Sequence, residues 1–402
     1  MSQFSTWQVF RISMNEASAI QFDEARSLKR NFGLDLFRAI AISLVVYCHG
    51  MHLTPDAIRS KLGTDLTGFL GVELFFVLSG YLIGKILLQI LLNSRENEKT
   101  TTLIFGFWIR RWFRTLPNYY LFLFVNALLA GGFLSWWSAG SYLTFCQNLF
   151  WPIETFMILS WSLAIEEWFY LTFPVIVFLF AKWFGRTKTA FGLALGFYIL
   201  LFVFLRMAAV CAIGPDWDSQ LRRVVGLRLD SIAYGAVIML VMEIWPRITR
   251  RYANALFLIG VLGIFVACYG VALETTVGLS WFLIANLFTL VGISSACLIP
   301  VAVYRTENMG ASRVRTAITS ISILSYSMYL LHNPISLPFV HYCFGWAPLP
   351  IQFVAYWAVT ILLSFCVYVI YERKMTRLRD RIPDLKKSFR FLTGLQRAKT
   401  AS

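Results

Sequence analysis

The chain has 402 residues, of which 58% are hydrophobic and 14% charged, with a mean hydropathy of +0.65 and a formal net charge of +15. That is too apolar and too poor in charge for a soluble domain, and the basic residues fall between and after apolar stretches rather than along an aromatic-flanked stripe, which argues against nucleic acid. The composition predicts an all-α fold, a polytopic membrane helix bundle in which positive charge sets topology.

Residues 1–33 carry mixed charge (Arg11, Glu16, Asp23, Glu24, Arg26, Lys29, Arg30) and lack the apolar core and small-residue cleavage site of a signal peptide, so they are expected to form a cytoplasmic arm. A spanning helix needs about 20 mostly apolar residues. Ten stretches qualify: 34–53, 66–92, 117–134, 156–181, 189–212, 226–245, 252–271, 278–303, 316–337 and 349–371. Lys and Arg concentrate in alternate connections, while 135–155, 271–278 and 338–348 contain none. The positive-inside rule therefore predicts ten transmembrane helices with both termini cytoplasmic. On this reading 34–371 is the transmembrane domain and 372–402 a basic cytoplasmic tail against lipid headgroups.

The first span runs from Leu34-Asp35-Leu36-Phe37-Arg38 through apolar residues to His49. Eleven positions make about three turns, which places Arg38 and His49 on one helix face roughly 16 Å apart, with Asp35 near that face. A cation and a titratable ring in a membrane helix need a polar interior to face, so this helix is expected to form part of a site.

In the second span Glu73, Val77, Gly80 and Gly84 recur at helical spacing within Phe75-Phe76-Val77-Leu78-Ser79-Gly80-Tyr81-Leu82. The glycines suit either a helix-packing seam or close approach of a slender ligand. Glu73 is a carboxylate in the bilayer and needs a partner. Next comes Phe107-Trp108-Ile109-Arg110-Arg111-Trp112-Phe113-Arg114, read as a cytoplasmic stretch before the third span. Arg110, Arg111 and Arg114 converge on one small area, which suits phosphate groups or, alternatively, a positive-inside anchor with interfacial aromatics.

The fourth span begins Ser160-Trp161-Ser162-Leu163-Ala164-Ile165-Glu166-Glu167, and Ser162, Glu166 and Tyr170 stack at intervals of four. Two adjacent carboxylates in a membrane helix point to a site. Arg206 and Arg228-Leu229-Asp230 suit internal ion pairs or an anionic acceptor equally, and Arg222 and Arg223 on the outer side suit an anionic acceptor or a solvated pair equally. In the ninth span His332-Asn333-Pro334 is expected to stop the helix, leaving His332 as a cap near the outer face. Seven single cysteines and four histidines form no metal-ligand cluster, so no metal is expected.

With these stretches in place the chain resembles the integral membrane acyltransferases of acyltransferase family 3, which include O-antigen and nodulation-factor acetylases. The resemblance rests on Leu34-Asp35-Leu36-Phe37-Arg38 with His49 eleven residues on; Phe75 to Leu82; Arg110-Arg111-Trp112-Phe113-Arg114 with Pro117; Trp161-Ser162-Leu163 with Glu166-Glu167 and Phe169-Tyr170; Arg228-Leu229-Asp230; and Ser325-Tyr326-Ser327-Met328-Tyr329-Leu330-Leu331-His332. Glu73 stands where the family more often has Asp. No esterase-like extracytoplasmic domain follows the last span, which is similar to the stand-alone members.

The resemblance implies transfer of an acyl group, most often acetyl, from acyl-CoA to a glycan hydroxyl at a bacterial cytoplasmic (inner) membrane. The acceptor would be a surface or exported glycan or a lipid-linked saccharide. His49 suits a general base or a transient acyl carrier. Glu166 or Glu167 is expected to set its tautomer, and Arg38 to assist. Arg110, Arg111, Arg114 and Arg38, with Ser79, Gly80 and Tyr81, are expected to bind the acyl-CoA. Asp35, Glu73, Trp161, Tyr170, Arg228, Asp230 and His332 are expected on the substrate side. The rival class is a secondary transporter or flippase for a lipid-linked glycan or small solute; such carriers usually show related halves, and Arg38/His49 has no evident counterpart near residue 240.

Overall fold

The computed structural model describes residues 31–55, 64–94, 98–132, 135–276, 280–306 and 312–379. Most of the expected N-terminal arm (1–30) and of the basic tail (380–402) lies outside the described residues. The described residues are helical and contain no strand.

The chain enters α1 (Phe32–Gly50) through Asn31, whose side chain accepts from the Leu34 amide at 3.2 Å and so satisfies one of the free donors of the first turn. Asp35 lies in that turn, where the helix dipole favours negative charge. After a short 3-10 turn (Met51–Leu53) the chain returns along α2 (Thr64–Asn93). Gly71 lets α2 approach α1 so closely that a Cβ there would fall 2.7 Å from the Ala41 carbonyl.

The third helix, α3, is a single rod over Thr100–Leu129. Arg110, Arg111 and Arg114 are therefore on the same helix as the expected third span and continuous with it. Pro117 lies inside it, and around the proline Tyr326 donates to Thr115 O at 2.9 Å and Tyr371 to Pro117 O at 3.3 Å, tying α3 to later segments. A short α4 (Trp136–Leu143) leads to α5 (Trp161–Phe184) and α6 (Lys188–Ile213), the latter capped by Thr187 and ended by Gly214 at φ +51°. A π-helical turn (Trp217–Arg222) leads to α7 (Asp230–Ile244), whose backbone packs on α2. Then come α8 (Pro246–Arg251), α9 (Ala253–Thr276), α10 (Trp281–Ala296) and α11 (Ile299–Tyr304).

The expected stop at Asn333-Pro334 is corrected. Following α12 (Arg313–Leu331), residues His332–Ser336 form a π-helical turn that leads directly into α13 (Leu337–Phe344). The widened turn absorbs the proline's missing N–H, and the helical path runs on. The last helix, α14 (Leu349–Val367), continues through a second π turn (Tyr368–Glu372) into α15 (Arg373–Arg379), so the tail boundary expected at 372 falls inside a helix.

Seven helical stretches are long and apolar enough to cross a membrane among the described residues: 32–53, 65–93, 158–184, 188–213, 253–273, 282–304 and 349–378. The other three expected spans correspond to α3, α7 and α12, which are helical but shorter or more polar. Phe265 and Tyr269 on α9, Leu200 and Phe204 on α6, and Val354 and Leu362 on α14 are exposed, an apolar outer surface that suits lipid. The protein is a multi-pass integral membrane protein. Its core packs α1, α2, α5 and α7 together, with Phe169, Phe173, Phe191 and Tyr198 forming an aromatic seam between α5 and α6.

Candidate functional site

Ser322 of α12 meets Asp35 near the start of α1, and His332 meets His49 near its end, so the two helices run parallel. Between them they define two polar levels about three helical turns apart.

At the His49 level, His49 Nδ1 lies 2.9 Å from the Val45 carbonyl and 3.2 Å from His332 Nε2. The His332 Nδ1 in turn lies 2.9 Å from the Met328 carbonyl. A carbonyl only accepts, so His332 carries its proton on Nδ1 and offers a lone pair at Nε2. His49 then donates from Nδ1 to the Val45 carbonyl, with His332 Nε2 as a second acceptor, and its own lone pair is at Nε2. His332 is fully buried while His49 is half-buried, and the exposed His52 ring stacks beside His49 with centroids 5.9 Å apart. Tyr329, one turn before His332, donates to the Leu159 carbonyl at 2.9 Å and lies 2.6 Å from Ser162 Oγ. Trp161 is buried against Phe76, with the Arg222 guanidinium 5.2 Å from its ring centre.

The glutamates expected to orient His49 are engaged elsewhere. Glu166 accepts from Ser79 Oγ at 3.0 Å and from the Tyr170 hydroxyl at 2.8 Å. Glu167 is buried, with Oε2 lacking a hydrogen-bond partner. Their place beside the imidazole is taken by Val45 O and His332, because α5 turns Glu166 toward α3.

At the Arg38 level, Ser322 Oγ donates to Asp35 Oδ1 at 2.8 Å and accepts from Arg38 at 3.2 Å, while Arg38 and Asp35 are 3.5 Å apart. On α3, Arg111 Nη2 donates to the Tyr170 hydroxyl at 2.5 Å, its guanidinium carbon lies 4.2 Å from that ring's centre, and Glu166 Oε2 is 4.0 Å away. Arg111 Nε is buried without a hydrogen-bond partner. Arg114 is exposed and lies within electrostatic range of Arg111, Arg38 and Glu372. Glu372 accepts from Asn118 Nδ2 at 2.8 Å and Ser327 Oγ at 2.7 Å, binding the end of α14 to α3 and α12. Arg110 is half-buried beside them. Spacing along the chain carried no hint of Ser322 or Glu372, since each joins residues far apart in sequence.

Five expected site residues, Gly80, Tyr81, Glu73, Arg228 and Asp230, lie in contacts between helices. A Cβ on Gly80 would fall 1.7 Å from the Ile232 carbonyl, so the close neighbour of this glycine is the α7 backbone rather than a ligand. Tyr81 is buried on the same seam, its amide next to Gly235. Arg228 pairs with Glu73 with neither side chain exposed, also donates to Ser231 Oγ at 3.1 Å, and stacks 3.7 Å from the Phe288 ring centre. Asp230 receives both Arg206 Nη1 at 2.7 Å and Nη2 at 2.9 Å, again without exposure. In the structure Arg206, Arg228 and Asp230 lie in internal ion pairs. Glu73 keeps one oxygen, Oε2, without a partner. No cluster of three or more candidate metal ligands occurs among the described residues.

An O-acetyltransferase OatA of Staphylococcus aureus strain MRSA252 is 26% identical over 396 residues, covering 92% of this chain and 59% of that protein. The peptidoglycan O-acetyltransferase OatA of Listeria monocytogenes is 30% identical over 203 residues, covering 46% of this chain and 30% of that protein. The OatA of S. aureus strain NCTC 8325 is 27% identical over 331 residues, or 75% of this chain and 50% of that protein. The chain thus spans less than two thirds of the length of these curated relatives. No solved structure matches significantly. The sequence model described as an acyltransferase domain matches residues 31–369, most of the chain and every element of both polar levels except Glu372, and the chain belongs to that acyltransferase family, acyltransferase family 3.

Proposed function

We propose that this protein is a membrane O-acyltransferase that moves an acyl group, most simply acetyl, from acyl-CoA to a hydroxyl of a glycan on the outer side of a bacterial cytoplasmic membrane. The observation that carries the reading is the fixed His49 ring, whose Nδ1 faces the Val45 carbonyl and His332 and whose Nε2 holds the lone pair. A neutral imidazole so oriented is a suitable base for a hydroxyl, a poor nucleophile until its proton is removed. As the acceptor oxygen bonds to the thioester carbonyl carbon, its proton passes to His49 Nε2. The carbon–sulfur bond then breaks, and the imidazolium returns the proton to the departing thiolate. The same lone pair also serves the covalent route, in which Nε2 takes the acyl group before the hydroxyl does.

Arg38, Arg111 and Arg114 would hold the phosphates of the acyl-CoA at the other level, assisted by Arg110. Guanidinium forks suit phosphate oxygens, and the unpartnered Arg111 Nε fits a group of that kind. The extended arm of the donor would run between the levels, with the phosphates on the cytoplasmic side and the acceptor entering from the other. Glu166 and Tyr170 orient Arg111 in this arrangement, and Asp35 with Ser322 orients Arg38.

The experiment is release of free thiol from acetyl-CoA by the full chain in lipid nanodiscs, with and without cell-envelope glycan, for the parent and His49→Ala. Glycan-stimulated release that His49→Ala abolishes is expected. A protein that releases no thiol but moves glycan across liposomes with Ala at position 49 would be a carrier. A cysteine-accessibility map that placed positions 49 and 111 on the same aqueous face would exclude the two-sided arrangement.

A further inference from the structure

The turn between α6 and α7 carries a group that the chemistry above does not use. Asp218 binds two arginines, its Oδ1 2.5 Å from Arg222 Nη2 and its Oδ2 against Arg223. The Arg222 guanidinium lies between two indoles, 5.2 Å from the ring centre of Trp161 and 5.5 Å from that of Trp217. Its backbone is held as well: the Arg222 carbonyl accepts from Arg228 at 3.3 Å, and Arg228 is anchored to Glu73. Asn148 completes the frame, donating to the carbonyls of Trp161 at 3.1 Å and Arg223 at 2.5 Å. Two cations, one carboxylate and two aromatic rings are therefore fixed in place by four separate segments.

The polar atoms of this frame are not all used. Arg222 Nε, Arg223 Nε and Trp217 Nε1 are buried donors without a hydrogen-bond partner. Three unsatisfied buried donors in one small area are unfavourable unless something accepts from them. Asp218 is already shared between the two arginines, and the carboxylate of Asp216 lies within electrostatic range of Arg223. The group also lies within electrostatic range of His49 and Tyr329, on the same level as the reactive nitrogen.

We infer that Arg222 and Arg223, with the Arg222 guanidinium held against the rings of Trp161 and Trp217, form an acceptor subsite that reads a carboxylated saccharide, the arginines receiving its carboxylate. A guanidinium with free donors suits a carboxylate. A neutral glycan would leave the same donors unsatisfied, so the subsite selects as well as binds. This inference rests on the acyltransferase reading only for the placement of the acceptor hydroxyl at His49.

The test pairs one oligosaccharide bearing a free carboxylate with the same oligosaccharide in which that group is amidated. Both binding to the protein in zwitterionic nanodiscs, by saturation-transfer NMR, and thiol release from acetyl-CoA are measured. The parent is expected to prefer the carboxylate by about tenfold, the scale of one or two charge-assisted hydrogen bonds, and Arg222→Gln to bring the ratio close to one. Equal binding of the two saccharides by the parent, or a ratio unchanged in Arg222→Gln, would overturn the inference. So would stabilisation of the parent by anionic phospholipid with none by the carboxylated saccharide, which would assign the arginines to a lipid headgroup. Absence of thiol release with every glycan would sink the acyltransferase reading while the binding ratio still decides this one. If Arg222→Gln does not fold, the parent's ratio alone decides.

Discussion

His332 Nε2 stands 3.2 Å from His49 Nδ1, and the His332 ring is itself held by its Nδ1 at the Met328 carbonyl one turn earlier. The pair makes His332 a positioning residue for His49. Replacing it with Leu keeps the volume and removes the acceptor. His332→Leu is expected to lower kcat by about 10 to 100-fold, because a small misplacement of a reacting group costs on that order, with KM for acetyl-CoA little changed. His332→Gln, whose amide oxygen can accept, is expected to recover part of the loss. Steady-state kinetics on the three proteins check this, and parental kcat in His332→Leu would mean that the Val45 carbonyl orients the ring alone.

At the opposite level the hydroxyl of Tyr170 bridges Arg111 and Glu166. Arg111→Lys keeps a cation but loses the planar fork, and the expected outcome is about a tenfold rise in KM for acyl-CoA with kcat nearly preserved. Tyr170→Phe is expected to do less, since Glu166 remains 4.0 Å from the arginine. Calorimetric titration with free CoA separates binding from turnover. Loss of kcat without loss of CoA affinity in Arg111→Lys would move the donor phosphates elsewhere.

What the sequence made legible was chiefly local. The membrane class follows from composition, and the common face of Arg38, Asp35 and His49 follows from helical spacing within one element. Convergence of Arg111 and Arg114 is legible for the same reason. Partners supplied by distant segments were not legible: Ser322 reaches Asp35 across 287 positions and His332 reaches His49 across 283. The glycine seam has the same origin: Gly80 suits either helix packing or a ligand in the sequence, and only the fold shows its space filled by the Ile232 carbonyl, with Gly235 meeting the Val77 carbonyl in return. Glu166 was misdirected because spacing of four residues places it on the Tyr170 face, whereas the direction of that face depends on how α5 packs.

Arg206 and Asp230 form a fully buried pair with two short hydrogen bonds, and Arg206 also donates to the carbonyls of Ala285 and Leu227. Removing one member leaves an uncompensated charge in the bundle. Asp230→Asn or Arg206→Met is expected to destabilise by about 3–5 kcal/mol, seen as a lowered thermal midpoint in detergent. The double variant Arg206→Met/Asp230→Leu is expected to recover much of the loss. If the single variants kept the parental midpoint, the pair would not be structural.

Gly80→Ala tests the seam between α2 and α7. Its added Cβ falls 1.7 Å from the Ile232 carbonyl, and backbone on that side has no flexible end to move aside. The helices are expected to separate, with loss of folded yield and faster proteolysis, while Gly192→Ala, where the nearest atom is a side-chain carbon of Leu240 at 3.4 Å, is expected to be tolerated. Equal yields of the two variants would contradict the assignment of Gly80 to packing.

Acidity is expected to loosen the turn that carries Arg222. Asp216 caps that turn, its Oδ1 accepting from Ser219 Oγ at 2.6 Å and from the Ser219 amide at 2.7 Å. These hydrogen bonds favour the carboxylate and hold Asp216 below the usual carboxylate range, with nearby Arg223 contributing. A group whose folded pKa is depressed gives its full contribution above the unfolded value, about 4 for Asp, and loses it as pH falls through the folded value. Between neutral pH and about 5 the turn should be unchanged, and below about 4 the Ser219 amide should lose protection. Hydrogen exchange of the segment 214–225, compared at each pH with Asp216→Asn, separates this from the intrinsic acid dependence of exchange. Asn caps a helix nearly as well without titrating, so that variant should keep a constant protection factor where the parent's falls. Parallel behaviour of the two proteins down to pH 3 would show that the cap does not govern the turn, and the preference of the arginine pair for a carboxylated saccharide would then be expected to persist in acid until the saccharide itself is protonated.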